Sequence, residues 1–292
     1  MPYKNGKEVY NKISFNKNEL KDIKDSYLNG ESSVSIGKRY GYSHKPILKA
    51  LREMGVEIDQ KRFVRKYALN ESYFDIIDTP NKAYILGLLH SDGSNNMKKF
   101  TISISLQEED KEILERVRNE IGSDKPLEYL DYSDKHDFGY NYKNQYRLLM
   151  FSSHMCNQLN SLGIVPNKSL TIGFPDWISD ELLPHYIRGV YDGDGSIYSF
   201  YRNDNNIPIT VTITATSSFC EELKIRCERI LGITAGIYDA SCHNGITKVF
   251  TLSGRNIAKI FLDWIYKDAD LYLQRKYDRY CEYYDINNSL SA

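Results

Sequence analysis

Two stretches of this chain read almost as copies: Tyr84-Ile85-Leu86-Gly87-Leu88-Leu89-His90-Ser91-Asp92-Gly93-Ser94 and Tyr186-Ile187-Arg188-Gly189-Val190-Tyr191-Asp192-Gly193-Asp194-Gly195-Ser196. They share Tyr-Ile-x-Gly, a small residue four places after that glycine, and a closing Asp-Gly-Ser. Read as helices, Gly87 and Ser91 lie one turn apart on one face, as do Gly189 and Gly193. Small residues at that spacing let two backbones come close, a steric device best documented between membrane helices. If the two helices pack along these strips, their C-terminal ends meet. Asp92 and Asp194 stand at those ends, just before the terminating glycines Gly93 and Gly195.

That placement works against stability. A helix C-terminus carries roughly half a negative charge, so a carboxylate there costs about 0.3–1 kcal/mol, and two such ends repel each other. A divalent cation reverses both penalties. Oxygen ligands from two aspartates and nearby carbonyls suit Mg²⁺. Two or more ions there can activate water and stabilise the leaving oxygen of a phosphodiester. A single Asp-Gly is an ordinary turn. Two matched copies about a hundred residues apart are harder to explain so, since duplicated packing accounts for the glycines but not for the acids.

The copying continues beyond these stretches. Residues 100–106 and 209–215 alternate strictly between apolar and hydroxyl side chains, which predicts strands with one apolar face. A helix follows each, at about 110–121 and 217–231. Further strands are expected at about 127–132 and 145–151 in the first copy, and at 237–240 and 247–252 in the second, joined at Asn244-Gly245. Closing helices fall at about 153–162 and 256–265. The expected fold is α+β: two pseudo-symmetric αββαββα halves, 71–180 and 181–292.

The N-terminal part differs in kind. Residues 1–68 hold 15 Lys+Arg against 8 Asp+Glu, a net of +7, while the other 224 residues carry −8. A basic segment of this sort suits a polyanion, although a solvated lysine-rich face has the same composition. Its periodicity predicts three helices: about 19–28 capped by Asn18 with Leu20, Ile23, Tyr27 and Leu28 on one side, 33–40, and 44–54 capped by Ser43 with Ile47, Leu48 and Leu51 inward. The turn at Gly41 makes a helix-turn-helix arrangement over 1–57, with Ser43, His44, Lys45, Lys49 and Arg52 available to a major groove. It resembles the DNA-binding domains of resolvases and invertases, and any small three-helix bundle would share the pattern. A basic linker, 58–70, carries Lys61, Arg62, Arg65 and Lys66 as candidate phosphate contacts.

Composition excludes other classes. Apolar residues make up 41% and charged residues 26% of the chain, the balance of a globular protein, and no apolar run approaches membrane-spanning length. The five cysteines form no C-x-x-C pair, so neither a zinc site nor a disulfide framework is expected. With no apolar leader at Met1, the expected setting is cytoplasmic, and the added helix-turn-helix with no transit peptide suggests a bacterial or phage origin.

The two motifs resemble those of the LAGLIDADG homing endonucleases in their single-chain, two-motif form, over about residues 70–284. The resemblance implies a monomer whose motif helices form the interface between halves and whose sheets saddle the major groove of double-stranded DNA. It implies that Asp92, Asp194, Ser91 and Gly193 form the metal site for two or three Mg²⁺ ions, the aspartates as principal ligands, and that Mn²⁺ or Ca²⁺ can substitute for binding. It further implies cutting of both strands with short 3′ overhangs. Lys168 and Lys276, 76 and 82 residues after the aspartates, match lysines that approach the site in that family. DNA contacts are expected from Thr101, Ser103, Ser105, Thr210, Thr212 and Thr214, and from Arg147, Arg202 and Lys248. His90 departs from the family's usual acid and could make the half-sites unequal. A non-cutting regulator or an RNA maturase on the same scaffold stays open.

Overall fold

The two matched stretches become helices for reasons visible at their first residues. Thr79 caps the first, its hydroxyl accepting the Lys82 N–H at 3.3 Å, and Pro80 brings the fixed φ that suits a first helical position. The resulting α4 runs Pro80–Asp92. The second, α7, runs Leu183–Asp194 with Pro184 in its first turn. Every residue of α4 from Ala83 to His90 is buried, as is every residue of α7 from His185 to Asp192. Helices enclosed all round lie at the centre of a core, and these two pack on each other.

In this computed structural model the residues described are 3–4, 7–8, 13–58, 66–133, 136–137, 140–166, 168–199, 208–240 and 246–284. They fall into two compact units, 1–66 and 67–292. In the larger unit each motif helix passes without a loop into a four-stranded antiparallel sheet. The first sheet has the strands β1 (Gly93–Asn96), β2 (Thr101–Gln107), β3 (Glu128–Leu130) and β4 (Gln145–Phe151), in spatial order β1-β2-β4-β3. Helix α5 (Lys111–Glu120) follows β2 and α6 (Ser153–Ser161) follows β4. The second sheet repeats the order as β5-β6-β8-β7, with β5 (Gly195–Ser199), β6 (Ile209–Thr216), β7 (Gly236–Asp239) and β8 (Thr247–Ser253). Helices α8 (Ser217–Leu231) and α9 (Arg255–Tyr266) take the matching places. Even the register repeats: Gly93 pairs with Ile104 and Gly195 with Ile213.

The halves are therefore αββαββα, with one addition. A further helix, α10 (Gln274–Tyr284), closes the second half. Its Tyr277, Tyr280 and Tyr284 recur at helical spacing, and the Tyr280 ring stacks on Tyr266 at 5.3 Å between centroids. The chain's tyrosines mask this amphipathic pattern, because each ring is as much polar as apolar.

Strand faces sort the expected contact residues. In β2, Ile102, Ile104 and Leu106 are buried, while Thr101, Ser103 and Ser105 lie on the other, more open face. Arg147 stands opposite Ser105 on that face and donates to its hydroxyl at 3.1 Å. In β6, Thr212 and Thr214 take the open face, but Thr210 is buried at 6% exposure, against expectation. Lys248 is also corrected. It pairs with Ala215, two residues from the buried Ile213–Phe250 pair, so it shares the core-side face at the sheet's end. There it bonds Asp239 at 2.5 Å. Register places Ser94, Asn96, Ser196 and Tyr198 on the open faces as well. The Asn244-Gly245 turn and Arg202 lie outside the described residues.

The smaller unit has α1 (Lys17–Leu28), α2 (Ser33–Arg39) and α3 (His44–Glu53) around Ile23, Tyr27, Ile36, Ile47 and Leu51. Its first cap is Asn16, not Asn18. Asn16 Oδ1 accepts the N–H groups of Asn18 and Glu19, and the Glu19 carboxylate accepts the Asn16 N–H at 2.7 Å, a reciprocal capping box. Leu28, the last residue of α1 and about 100° round from the buried Tyr27, is turned outward at 55% exposure. On α3, Ala50 is buried and Leu48 half-buried, and Ser43 precedes the helix without a side-chain cap bond. Lys45, Lys49 and Arg52 are exposed and His44 half-buried, as is consistent with an outward face. Lys61, Arg62 and Arg65 lie outside the described residues, and Lys66 is exposed.

Candidate active site

The close approach of α4 and α7 rests on side chains that are missing at the crossing. A Cβ on Gly87 would sit 2.1 Å from the Tyr186 carbonyl oxygen, and one on Gly189 would sit 2.1 Å from that of Tyr84. At the C-terminal end a Cβ on Gly193 would fall 2.0 Å from Ser91 Oγ and 2.8 Å from Asp92 Oδ2. The two strips of small residues thus meet as their spacing predicts, bringing the two aspartates to one place. The terminating glycines act differently from expectation. Gly93 and Gly195 have extended backbones, not left-handed ones. They are needed because a Cβ would strike the preceding turn, 2.4 Å from Leu89 O and 2.2 Å from the Tyr191 ring.

Asp92 and Asp194 reach solvent at the end of the helix pair, yet protein crowds around them. Loss of solvation and the neighbouring Asp194 push the Asp92 carboxyl up to about 6. Asp194 is also raised, again by desolvation. Two cations oppose this. Lys168, in a short 3₁₀ turn after α6, is buried and donates to the carbonyls of Ser91 at 3.1 Å and Gly93 at 2.6 Å. Lys276, in the first turn of α10, is buried and donates to those of Tyr191 at 2.6 Å and Gly195 at 2.7 Å. Each lysine therefore binds the end of its own half's motif helix, where the carbonyls lack helical partners and the dipole is negative. Burial lowers the Lys276 ammonium to about 8. It lowers Lys168 too, against the pull of Asp194 and Asp92.

The donor set discriminates between classes of cation. Among the described residues no three His, Cys, Asp or Glu side chains converge as a cage of the zinc kind would. Two carboxylates with raised proton affinity, packed where Gly193 leaves no room for a side chain, suit a hard ion that takes its other ligands from backbone oxygen, water and phosphate. Ser91 Oγ donates its hydrogen back to Leu88 O at 3.1 Å, which leaves its lone pairs open to a cation. The main-chain oxygens of Ser91 and Gly193 are further candidate ligands, the former also accepting from Lys168 Nζ. A cavity of about 200 Å³ reaches this end, lined by Ser91, Asp194, Val190, Thr214 and Phe219 among others.

Sequence reasoning missed what lies one turn deeper. His90 is buried, its Nε2–H directed at Leu162 O (3.2 Å), which leaves Nδ1 to accept the Tyr186 hydroxyl at 2.5 Å. Both ring nitrogens are used, and burial lowers the imidazole to about 4, so it is neutral. Asp192 holds the matching place in the second half, accepting the Tyr84 hydroxyl and the Leu273 N–H, each at 2.8 Å. Arg188 is fully buried, donating to Leu271 O at 2.8 Å, Ile265 O at 2.6 Å and His185 Nδ1 at 3.0 Å. The signal was an arginine and an aspartate inside an otherwise apolar helix.

No known family model matches the chain, and no curated protein matches it. Similar solved structures exist. The I-LtrWI LAGLIDADG homing endonuclease bound to target DNA is 11% identical over 74% of this chain and 91% of its own, with a TM-score of 0.48. The meganuclease I-SmaMI bound to uncleavable DNA is 13% identical over 70% of this chain and 88% of its own, with a TM-score of 0.47. The N-terminal LAGLIDADG domain of WhiA is 14% identical over 72% of this chain and 92% of its own, at 0.41.

Proposed function

We propose that this chain is a site-specific double-strand DNA endonuclease of the LAGLIDADG kind, acting with Mg²⁺. One observation carries the reading: two carboxylates of raised proton affinity at the crossed ends of glycine-packed helices, with a buried lysine at each. Bound divalent ions would supply Lewis-acid stabilisation of phosphodiester oxygens and an activated water. Asp92 and Asp194 would hold them where the two helix ends meet. Lys168 Nζ and Lys276 Nζ, held by helix-end carbonyls and drawn by the nearby aspartates, place positive charge where a phosphate's negative charge grows. Hydroxyl groups of Thr101, Ser103, Ser105, Thr212 and Thr214, together with Arg147, meet base edges and phosphates. The smaller unit adds contacts through α3, read as a recognition helix, and through the basic run after it.

The test is cleavage of a randomised double-stranded library with Mg²⁺ by the wild type, Asp92→Asn and Asp194→Asn. Discrete double-strand cuts with short 3′ overhangs are expected from the wild type, and none from either variant. Binding of one sequence by all three without cutting would overturn the reading in favour of a regulator or maturase, with RNA as the next substrate.

A further inference from the structure

Resting on that reading, we propose that His90 and Asp192 are positioning residues. Each couples the opposing motif helix to the segment that carries its own half's lysine, and the two couplings differ in strength. The pattern is reciprocal. Asp192 on α7 accepts the hydroxyl of Tyr84 on α4 (2.8 Å), and His90 on α4 accepts that of Tyr186 on α7 (2.5 Å). Each then reaches the lysine-bearing segment. Asp192 accepts the N–H of Leu273 at 2.8 Å, and Leu273 O accepts the N–H groups of Lys276 at 3.0 Å and Tyr277 at 3.1 Å. Fixing Leu273 thus fixes the first turn of α10, from which Lys276 reaches the site. His90 instead donates to Leu162 O, at the end of α6, six residues before Lys168.

The second half is held more firmly. Arg188 pins Ile265 O and Leu271 O, on the approach to Leu273, and lies 5.2 Å from the centre of the Tyr84 ring. Leu86 fills its place in α4, so burial alone does not call for a charge at this position. A hydrogen-bonded buried charge tolerates few geometries, which makes the pair a device for placement more than for stability. Lys168 has Asn95, whose side chain donates to Cys156 O and Ile164 O, as its neighbouring brace.

Two readouts test this on the full chain. Reductive methylation followed by peptide mass spectrometry reads lysine placement without any DNA. Tyr84→Phe is expected to raise modification of Lys276 roughly fivefold, through more frequent local opening, and to leave Lys168 unchanged; Tyr186→Phe is expected to do the reverse. End-labelled target DNA then reads each strand. Tyr84→Phe should lower kcat on one strand about tenfold, as slight misplacement does, with KM unchanged, and Tyr186→Phe should slow the other strand. Asp192→Asn, which keeps an acceptor for Leu273, should stay nearer the wild type than Asp192→Leu; where the latter does not fold, Tyr84→Phe carries the test. Equal effects on both lysines and both strands, or none, would overturn the proposal. Selective labelling by a protein that cuts no DNA would sustain the positioning role and sink the endonuclease.

Discussion

Asp92 shows how a single residue sets function against stability. Its carboxyl binds a proton more tightly in the folded chain (about 6) than at its ordinary value of 3.8. Ionisation at pH 7 therefore works against folding, with the stability it withholds lost as pH rises between those values. Asp92→Asn should accordingly melt above the wild type in EDTA, and Mg²⁺ should narrow the gap by raising the wild type's Tm and not the variant's. A Tm of the wild type that ignores Mg²⁺ would remove the metal from the proposal. His185 gives the opposite sign. It accepts from Arg188, and burial and that guanidinium lower its imidazole to about 4. The unfolded chain takes up the proton near 6.5, so stability present above that value drains away as pH falls towards 4. Between pH 7 and pH 5 the wild type should lose about 2 kcal/mol more than His185→Gln in urea denaturation. An equal loss in both proteins would mean that His185 is charged in the fold.

At the scale of elements, the crossing of α4 and α7 is the joint on which the rest depends. A methyl group on Gly87 or Gly189 would stand 2.1 Å from a backbone oxygen of the facing helix. No flexible group is there to yield, so the helices must separate. Gly87→Ala or Gly189→Ala should cost about 3 kcal/mol or more, the upper range for overpacking, and should spread the aspartates. Gly173→Ala, where nothing lies within 4 Å, is the matched control. Similar losses in all three would show that the crossing is looser than these distances imply. The spacing Gly-x-x-x-small made this joint legible. It did not disclose the polar couplings beneath it, because hydrogen bonds between residues 96 and 108 positions apart leave no periodic trace. The wrong cap at Asn18 has a local cause. Asn16 and Asn18 both suit a cap, and only the pairing with Glu19 selects between them.

At the scale of the molecule, charge and core divide the chain alike. The smaller unit has its own apolar cluster and the larger unit another. Removing residues 1–66 should leave the melting of the larger unit nearly unchanged while weakening DNA binding. It should also flatten the salt dependence of binding, by about one unit of slope for each phosphate that the arm neutralises. An unaltered salt slope would end the case for a basic DNA-binding arm. No helix among the described residues is long and apolar enough to cross a membrane.

The sequence by itself determined the duplicated αββαββα order, the helix contact along Gly87 and Gly189, and the meeting of Asp92 with Asp194. All of these follow from periodicity and side-chain size, which are local and repeat. The resemblance of its motifs to those of the LAGLIDADG endonucleases also pointed to Lys168 and Lys276. Only the tertiary structure decided that those lysines bind helix-end carbonyls, that Thr210 is covered, that Lys248 faces the core side, and that Arg188 and Asp192 are interior. Each of those outcomes depends on which distant segment lies opposite a side chain, and the free energy of a polar group is set by that neighbour, not by its place in the chain.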